Sequence, residues 1–284
     1  MMLTKLDDIV AATRIRVEQA KANANRKQLE KFAADHTPRG FRRALEYRAR
    51  SGTAVIAELK RASPSKGVIR EEFPVAFLAR ALQQGGAACL SVLTEPEFFH
   101  GGLGNLELAS SETQLPCLRK DFIIDEFQIL EARAHRADAI LLIASALKDA
   151  ELRSLALAAG TIGLDVLCEV HSAHEIDRAI DARCVNMIGV NARDLRDFSV
   201  SIDAAIELAE RLPSETLRVA ESGIAGAADV ARLRAAGFEA FLVGEMLMRA
   251  PQPGLALREL LAEADANLPS KAATAETDGG GAQQ

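Results

Sequence analysis

Two periodicities alternate along this chain. Residues 1–50 are polar and helical in pattern: Leu6, Ile9, Val10, Thr13 and Val17 recur at helical spacing, and no strand-like run interrupts them. After Ser51-Gly52 the texture changes to short apolar, β-branched runs separated by amphipathic stretches. The spacing predicts strands over 54–60, 89–94, 116–122, 139–145, 165–170, 186–191, 217–221 and 238–244. Helices are predicted between and after them, over 75–84, 105–111, 126–136, 149–159, 173–180, 202–211, 227–236 and 255–264. Gly85-Gly86 closes the first of these, and Gly160, Gly163 and Gly237 are expected at left-handed helix ends.

Strict strand–helix alternation argues for a parallel sheet with helical crossovers. Eight such units argue for closure, since open doubly wound sheets usually have fewer strands. The expected fold is therefore α/β: a single (β/α)8 TIM barrel over 51–266, with an extra N-terminal helical segment over 1–50 packing on it. Residues 267–284 form a polar, glycine-rich tail, expected to be disordered. A barrel of this kind needs about 250 residues, so one domain uses nearly all of the 284.

Composition narrows the function classes. The chain is 49% hydrophobic and carries a formal net charge of −6 with no long basic run. Nucleic-acid and membrane-surface binding are disfavoured. No run approaches the length of a membrane span, and the N-terminus lacks a signal-peptide pattern. Cys89, Cys117, Cys168 and Cys184 form no C-x-x-C pair, and the first three lie in apolar runs. Reduced, mostly buried thiols and a cytoplasmic location are expected.

In such a barrel, chemistry comes from polar residues at the C-terminal ends of strands. The first strand brings Glu58 and Lys60, two apart and so on one face; the third brings Lys120; the fifth, Glu169; the sixth, Asn191 and Arg193; the seventh, Glu221, Ser222 and Gly223. Any one of these is equally readable as a strand end fraying into solvent. As a set they converge on one mouth, where buried charges must pair with one another or with a ligand. The loops after strands seven and eight, with Ser222-Gly223 and Gly244-Glu245, occupy the usual phosphate site of this fold. Glycines there let backbone N–H groups approach phosphate oxygens. The first strand–helix loop adds Ser63 and Lys66, and Phe98 and Phe99 offer an aromatic wall. His171 and His174 have metal-ligand spacing but no evident third ligand, so no metal is expected; His36 and His135 read as surface or boundary residues.

The segments ELKRASPSKG (58–67), SVLTEPEFF (91–99), LRKDFII (118–124), LCEVH (167–171), the GVNxRDL run (189–195) and ESGI (221–224) together resemble indole-3-glycerol phosphate synthase, in order, over about 3–265. The resemblance implies ring closure of 1-(2-carboxyphenylamino)-1-deoxyribulose 5-phosphate, with release of carbon dioxide and water, to give indole-3-glycerol phosphate in tryptophan biosynthesis. It implies no cofactor or metal. Carried over by motif, Lys120 is the general acid, Lys60 pairs with the substrate carboxylate, and Glu169 is the general base of the final steps. Glu58 tunes the lysines, Glu221 supports a substrate hydroxyl or a neighbouring cation, and Asn191 and Arg193 bind and place the substrate. Phe99 and Phe122 pack on the anthranilate ring. Ser63, Ser222, Gly223, Gly244 and Glu245 hold the phosphate. The expected partner is a phosphorylated small molecule, and the expected state a monomer or weak homo-oligomer. Ala192, Ala220 and Gly101-Gly102 depart from the family pattern without removing an acid or base. Other phosphate-binding barrels, such as phosphoribosylanthranilate isomerase, or a barrel that binds without turnover, are not expected to carry Lys60, Lys120 and Glu169 in these contexts.

Overall fold

Each apolar run forms a strand, and the eight strands pair in parallel into a closed barrel in which β1 neighbours both β2 and β8. They are β1 (Ala54–Leu59), β2 (Cys89–Leu93), β3 (Cys117–Lys120), β4 (Ala139–Ile143), β5 (Asp165–Val170), β6 (Met187–Asn191), β7 (Leu217–Glu221) and β8 (Ala240–Val243). The computed structural model describes residues 5–182, 186–193 and 200–266; the tail expected over 267–284 and Cys184 lie outside the described residues. Helices follow the strands: α4 (Val75–Gly85), α5 (Leu103–Glu112), α6 (Glu126–Ala134), α7 (Asp149–Thr161), α8 (Ala173–Asp181), α9 (Ile202–Ala209), α10 (Ala227–Ala235) and α12 (Pro253–Ala266). Two small elements have no counterpart in the periodicity. A hairpin pairs Ala62–Ser63 with Gly67–Val68, and a short helix, α11 (Glu245–Arg249), follows β8. Both are too short to show a period. Gly86, Gly163 and Gly237 take the expected positive φ, but Gly160 lies inside α7 rather than at its end, because that helix runs on to Thr161.

The period of two decides which residues meet inside the barrel. Val55, Ala57, Leu59, Leu90, Val92, Cys168 and Val170 point outward and pack under the helices. Ala54, Ile56, Cys89, Leu118, Leu141, Leu167, Val219 and Leu242 point inward and fill the barrel. Continued in steps of two, the inward series reaches Glu58 on β1 and Lys60 just past its end, Lys120 on β3, Glu169 on β5, Asn191 on β6 and Glu221 on β7. The same alternation that builds the core thus delivers the charged groups to its upper layer.

The N-terminal helical segment is built of three helices: α1 (Lys5–Asn23), α2 (Arg26–Asp35) and α3 (Phe41–Ala49). Phe41 and Leu45 of α3 are fully buried and join the inner cluster with the strand starts Ala54, Cys89, Ala139 and Ala240. Small residues at those starts leave room for the phenyl ring, so α3 plugs the bottom of the barrel. Burial of each such side chain stabilises by about 1.5–3 kcal/mol. The turn between α2 and α3 is fixed by Asp138, buried just before β4. Its carboxylate accepts from the Arg39 backbone N–H at 2.7 Å, the Arg39 guanidinium at 2.6 Å and the Cys117 N–H at 2.7 Å. His36 Nε2 lies 3.2 Å from the same carboxylate and the residue is only 7% exposed, so it is buried, where a surface or boundary residue was expected. Burial raises the Asp138 pKa, but bonds from His36 and Arg39 outweigh it and hold the group below the usual carboxylate range. Cys89, Cys117 and Cys168 are buried, as expected.

Candidate active site

At the opposite end the barrel opens into a cavity of about 930 Å³. It is lined by Glu58, Lys60, Ser63, Phe99, Lys120, Phe122, Glu169, Asn191, Arg193, Glu221, Ser222, Gly223, Gly244 and Glu245, but not by Phe98, which was expected beside Phe99 in the aromatic wall. Two lysine–carboxylate pairs dominate. Lys60 Nζ lies 2.6 Å from Glu58 Oε2. Lys120 Nζ lies 2.8 Å from Glu169 Oε2 and 3.4 Å from Glu221 Oε2. Asn191 Nδ2 donates to Glu169 Oε1 at 3.0 Å, and its own Oδ1 accepts from the Arg193 backbone N–H at 3.0 Å.

The electrostatics follow from burial and crowding. Burial lowers the Lys120 pKa, yet Glu169, Glu221 and Glu58 outweigh it, and the ammonium is held well above its ordinary value. For Glu169, burial raises the pKa, but Lys120 and His171 together pull it well below the carboxylate range. Glu221 goes the other way. Burial raises it, Lys120 only partly compensates, and the neighbouring carboxylates Glu169 and Glu58 leave it at about 8. Both of its oxygens are buried and accept no hydrogen bond from the described residues. Burial and carboxylate crowding thus favour the protonated form of Glu221.

Two glycines make space for these acids. A Cβ on Gly189 of β6 would collide with the Glu221 carboxylate, and one on Gly244 with that of Glu58. The turn after β7 is equally specific: Ser222 and Gly223 take φ values of 66° and 78°, and a Cβ on Gly223 would press on Val200. A left-handed serine is uncommon outside functional turns. The aromatic wall is built as expected, with the Phe99 and Phe122 rings 6.2 Å apart at 42°. Glu95 fixes it by accepting from the Phe98 and Phe99 N–H groups at 2.6 and 3.1 Å.

Some site residues escaped the sequence reading. Leu6 and Ile9 of α1 reach over the mouth, and Met246 and Arg249 line it. Arg16 of α1 ties that helix to the wall by a 3.0 Å bond to Glu95 Oε1. His171 stands beside Glu169, its Nε2 3.3 Å from Oε1. Among the described residues no three His, Cys, Asp or Glu side chains cluster so as to hold a metal ion. The signal of His171 was parity, since it falls two residues after Glu169 on the inward face. Ala192 and Ala220, where the family pattern often has polar residues, are buried.

Fold and site define a (β/α)8-barrel enzyme with an acid–base mouth, and among the described residues no helix is long and apolar enough to cross a membrane. A model of the family "Indole-3-glycerol phosphate synthase" matches residues 6–260. The indole-3-glycerol phosphate synthase of Koribacter versatilis (strain Ellin345) is 54% identical over 260 residues, covering 92% of this chain and 100% of the relative. That of Variovorax paradoxus (strain S110) is 48% identical, covering 90% and 98%. The chain belongs to the indole-3-glycerol phosphate synthase family, carboxy-lyases of tryptophan biosynthesis that act on a phosphorylated small molecule. Among solved structures, 3-hexulose-6-phosphate synthase from Salmonella typhimurium matches with a TM-score of 0.60 at 13% identity, covering 75% of this chain and 98% of that one, a likeness of fold.

Proposed function

We propose that the residues at this mouth carry out ring closure, decarboxylation and dehydration of 1-(2-carboxyphenylamino)-1-deoxyribulose 5-phosphate to indole-3-glycerol phosphate. The supporting observation is the pair of buried lysine–carboxylate couples, Lys60–Glu58 and Lys120–Glu169, facing one cavity with the Ser222-Gly223 turn. Lys120 enters protonated and donates to the ketone oxygen as the aromatic carbon attacks. Negative charge developing on that oxygen gives it a greater proton affinity than the amine, so transfer is favourable despite the strong ion pair. Lys60 pairs with the substrate carboxylate, exchanging one carboxylate partner, Glu58, for another. Carbon dioxide then leaves, the ring nitrogen pushes out the hydroxyl as water, and Lys60 is placed to protonate it. Glu169 removes the last proton and aromaticity is restored. Glu221, protonated, donates to a substrate hydroxyl, which satisfies its orphaned oxygens. Asn191 and Arg193 orient the substrate. Phe99 and Phe122 pack on the anthranilate ring. Ser63, Ser222, Gly223, Gly244 and Glu245 hold the phosphate, the last three through backbone N–H groups. These roles use side chains and backbone alone.

The barrel over 51–266 is proposed as the catalytic unit, with 1–50 as an extension packed on it. A cytoplasmic monomer or weak homo-oligomer is expected, which light scattering across concentration tests. The deciding assay mixes purified protein with the carboxyphenylamino substrate and follows indole fluorescence. No product at micromolar enzyme sinks the proposal.

A further inference from the structure

We infer that His171, clamped by Glu175, is a positioning residue of the reaction: a second cation behind Glu169 that keeps this base ionised while Lys120 gives its proton away. The inference rests on Glu169 being the general base.

Three observations carry it. First, His171 bridges two carboxylates. Its Nε2 is 3.3 Å from Glu169 Oε1 and its Nδ1 3.3 Å from Glu175 Oε2. The side chain is only 11% exposed, so neither contact is diluted by water. Second, Glu175 is itself immobilised. Its Oε2 accepts the His171 backbone N–H at 2.9 Å and its Oε1 accepts the Ser172 hydroxyl at 3.1 Å, while Ser172 Oγ accepts the Glu175 N–H at 3.3 Å. This reciprocal cap starts α8, so the clamp is anchored in the scaffold. Third, the Nε2 contact is an ion pair without hydrogen-bond alignment, since that nitrogen has no hydrogen-bond partner among the described residues. His171 therefore acts on Glu169 through charge more than direction.

The need for a second cation follows from the double duty of Lys120. It neutralises Glu169 at 2.8 Å and must also protonate the substrate. With Lys120 as the sole cation, loss of its proton would leave Glu169 beside a neutral amine and close to Glu221 and Glu58. The base would then rise in pKa and pick up a proton before the final deprotonation. The imidazolium prevents this. Burial lowers the His171 pKa, but Glu169 and Glu175 outweigh it and raise it to about 10, so the charge persists across the working range. The groups facing the ring are Glu169 at the end of β5 and Glu175 on α8. Lys120 on β3 and Glu221 on β7 stand behind Glu169. Of the packed neighbours, α8 also brings His174, Asp177 and Arg178, and α7 begins with Asp149, which pairs with Arg178.

The test compares pH–rate profiles of wild type, His171→Asn, Glu175→Gln and Glu169→Gln, with NMR titration of ring-labelled histidine. For His171→Asn, kcat is expected to fall roughly 10–100-fold with KM held within about threefold. The acid limb of kcat moves up by about one pH unit, because an uncompensated Glu169 protonates earlier. Glu175→Gln retains the imidazole and lowers its NMR pKa by about one unit or more, with a smaller shift of the same limb. If His171→Asn does not fold, the Glu175→Gln profile and titration decide. Loss of turnover in Glu169→Gln with an unmoved acid limb in the His171 and Glu175 variants overturns the inference alone. Near-normal turnover in Glu169→Gln overturns the base assignment, and the inference with it.

Discussion

The two ends of the barrel each bury a carboxylate, and they treat it in opposite ways. At the bottom, Asp138 is surrounded by donors from Arg39, His36 and Cys117, and its pKa is pulled down. At the top, Glu221 is as deeply buried yet accepts no hydrogen bond from the described residues, and its pKa is held near 8. A buried carboxylate that is fully satisfied by donors stabilises a connection, whereas a buried carboxyl short of partners is costly to hold ionised. Burial alone therefore does not separate scaffold from chemistry, whereas the count of partners around each charge does.

The contrast is sharpest where the acid itself is removed. Lys120→Ala is expected to cut kcat by about 10²–10⁴-fold, as read by steady-state assay on protein shown to be folded by thermal melting. A near-normal rate would discard Lys120 as the acid. The converse is Asp138→Asn, which leaves Arg39 poorly paired and should cost about 3 kcal/mol in urea unfolding. Its folded fraction at 25 °C should retain kcat within a few-fold. A large kcat loss at normal stability would break the division between the ends. Gly189→Ala probes the space around Glu221: overpacking costs roughly 1–3 kcal/mol, and the displaced carboxylate should lower kcat in a variant that keeps every charge.

The smallest effect is also the one that reverses sign between the two ends. Asp138 has a depressed folded pKa, so its stabilisation is present above the unfolded carboxylate pKa and is lost as pH falls through the folded one. Glu221 has a raised folded pKa, so its contribution is fully present below the ordinary glutamate pKa and is lost as pH rises toward about 8. Glu221→Gln removes that loss. It should stabilise the protein by roughly 0.5–2 kcal/mol at pH 8 and flatten the decline of stability between pH 5 and 8, at the expense of activity. Unchanged pH dependence of melting in this variant would mean that Glu221 is ionised in the free enzyme.

The strands and the mouth were legible because both depend on local spacing. Glu58, Lys120, Glu169 and Glu221 end apolar runs on the inward parity, and parity is written in the order of residues. The bottom plug was not legible in this way. His36 and Asp138 are 102 residues apart, and nothing near His36 announces its partner. The same holds for Arg16 and Glu95, 79 residues apart, which bring α1 to the mouth. His171 lay between these cases: its parity with Glu169 was readable, but its spacing from His174 drew attention to metals. The pKa values of Glu169 and Glu221 differ in direction although both are strand-end glutamates, because only three-dimensional crowding tells them apart.

The inward side chains that fill the barrel, with Phe41 and Leu45 beneath them, make it a cup and not a tube. Reactant, carbon dioxide, water and indole product all pass one rim, so traffic is sequential. The small products have to slip past the indole product or wait behind it, and a bulkier rim at Leu6 or Ile9 slows exit and entry together.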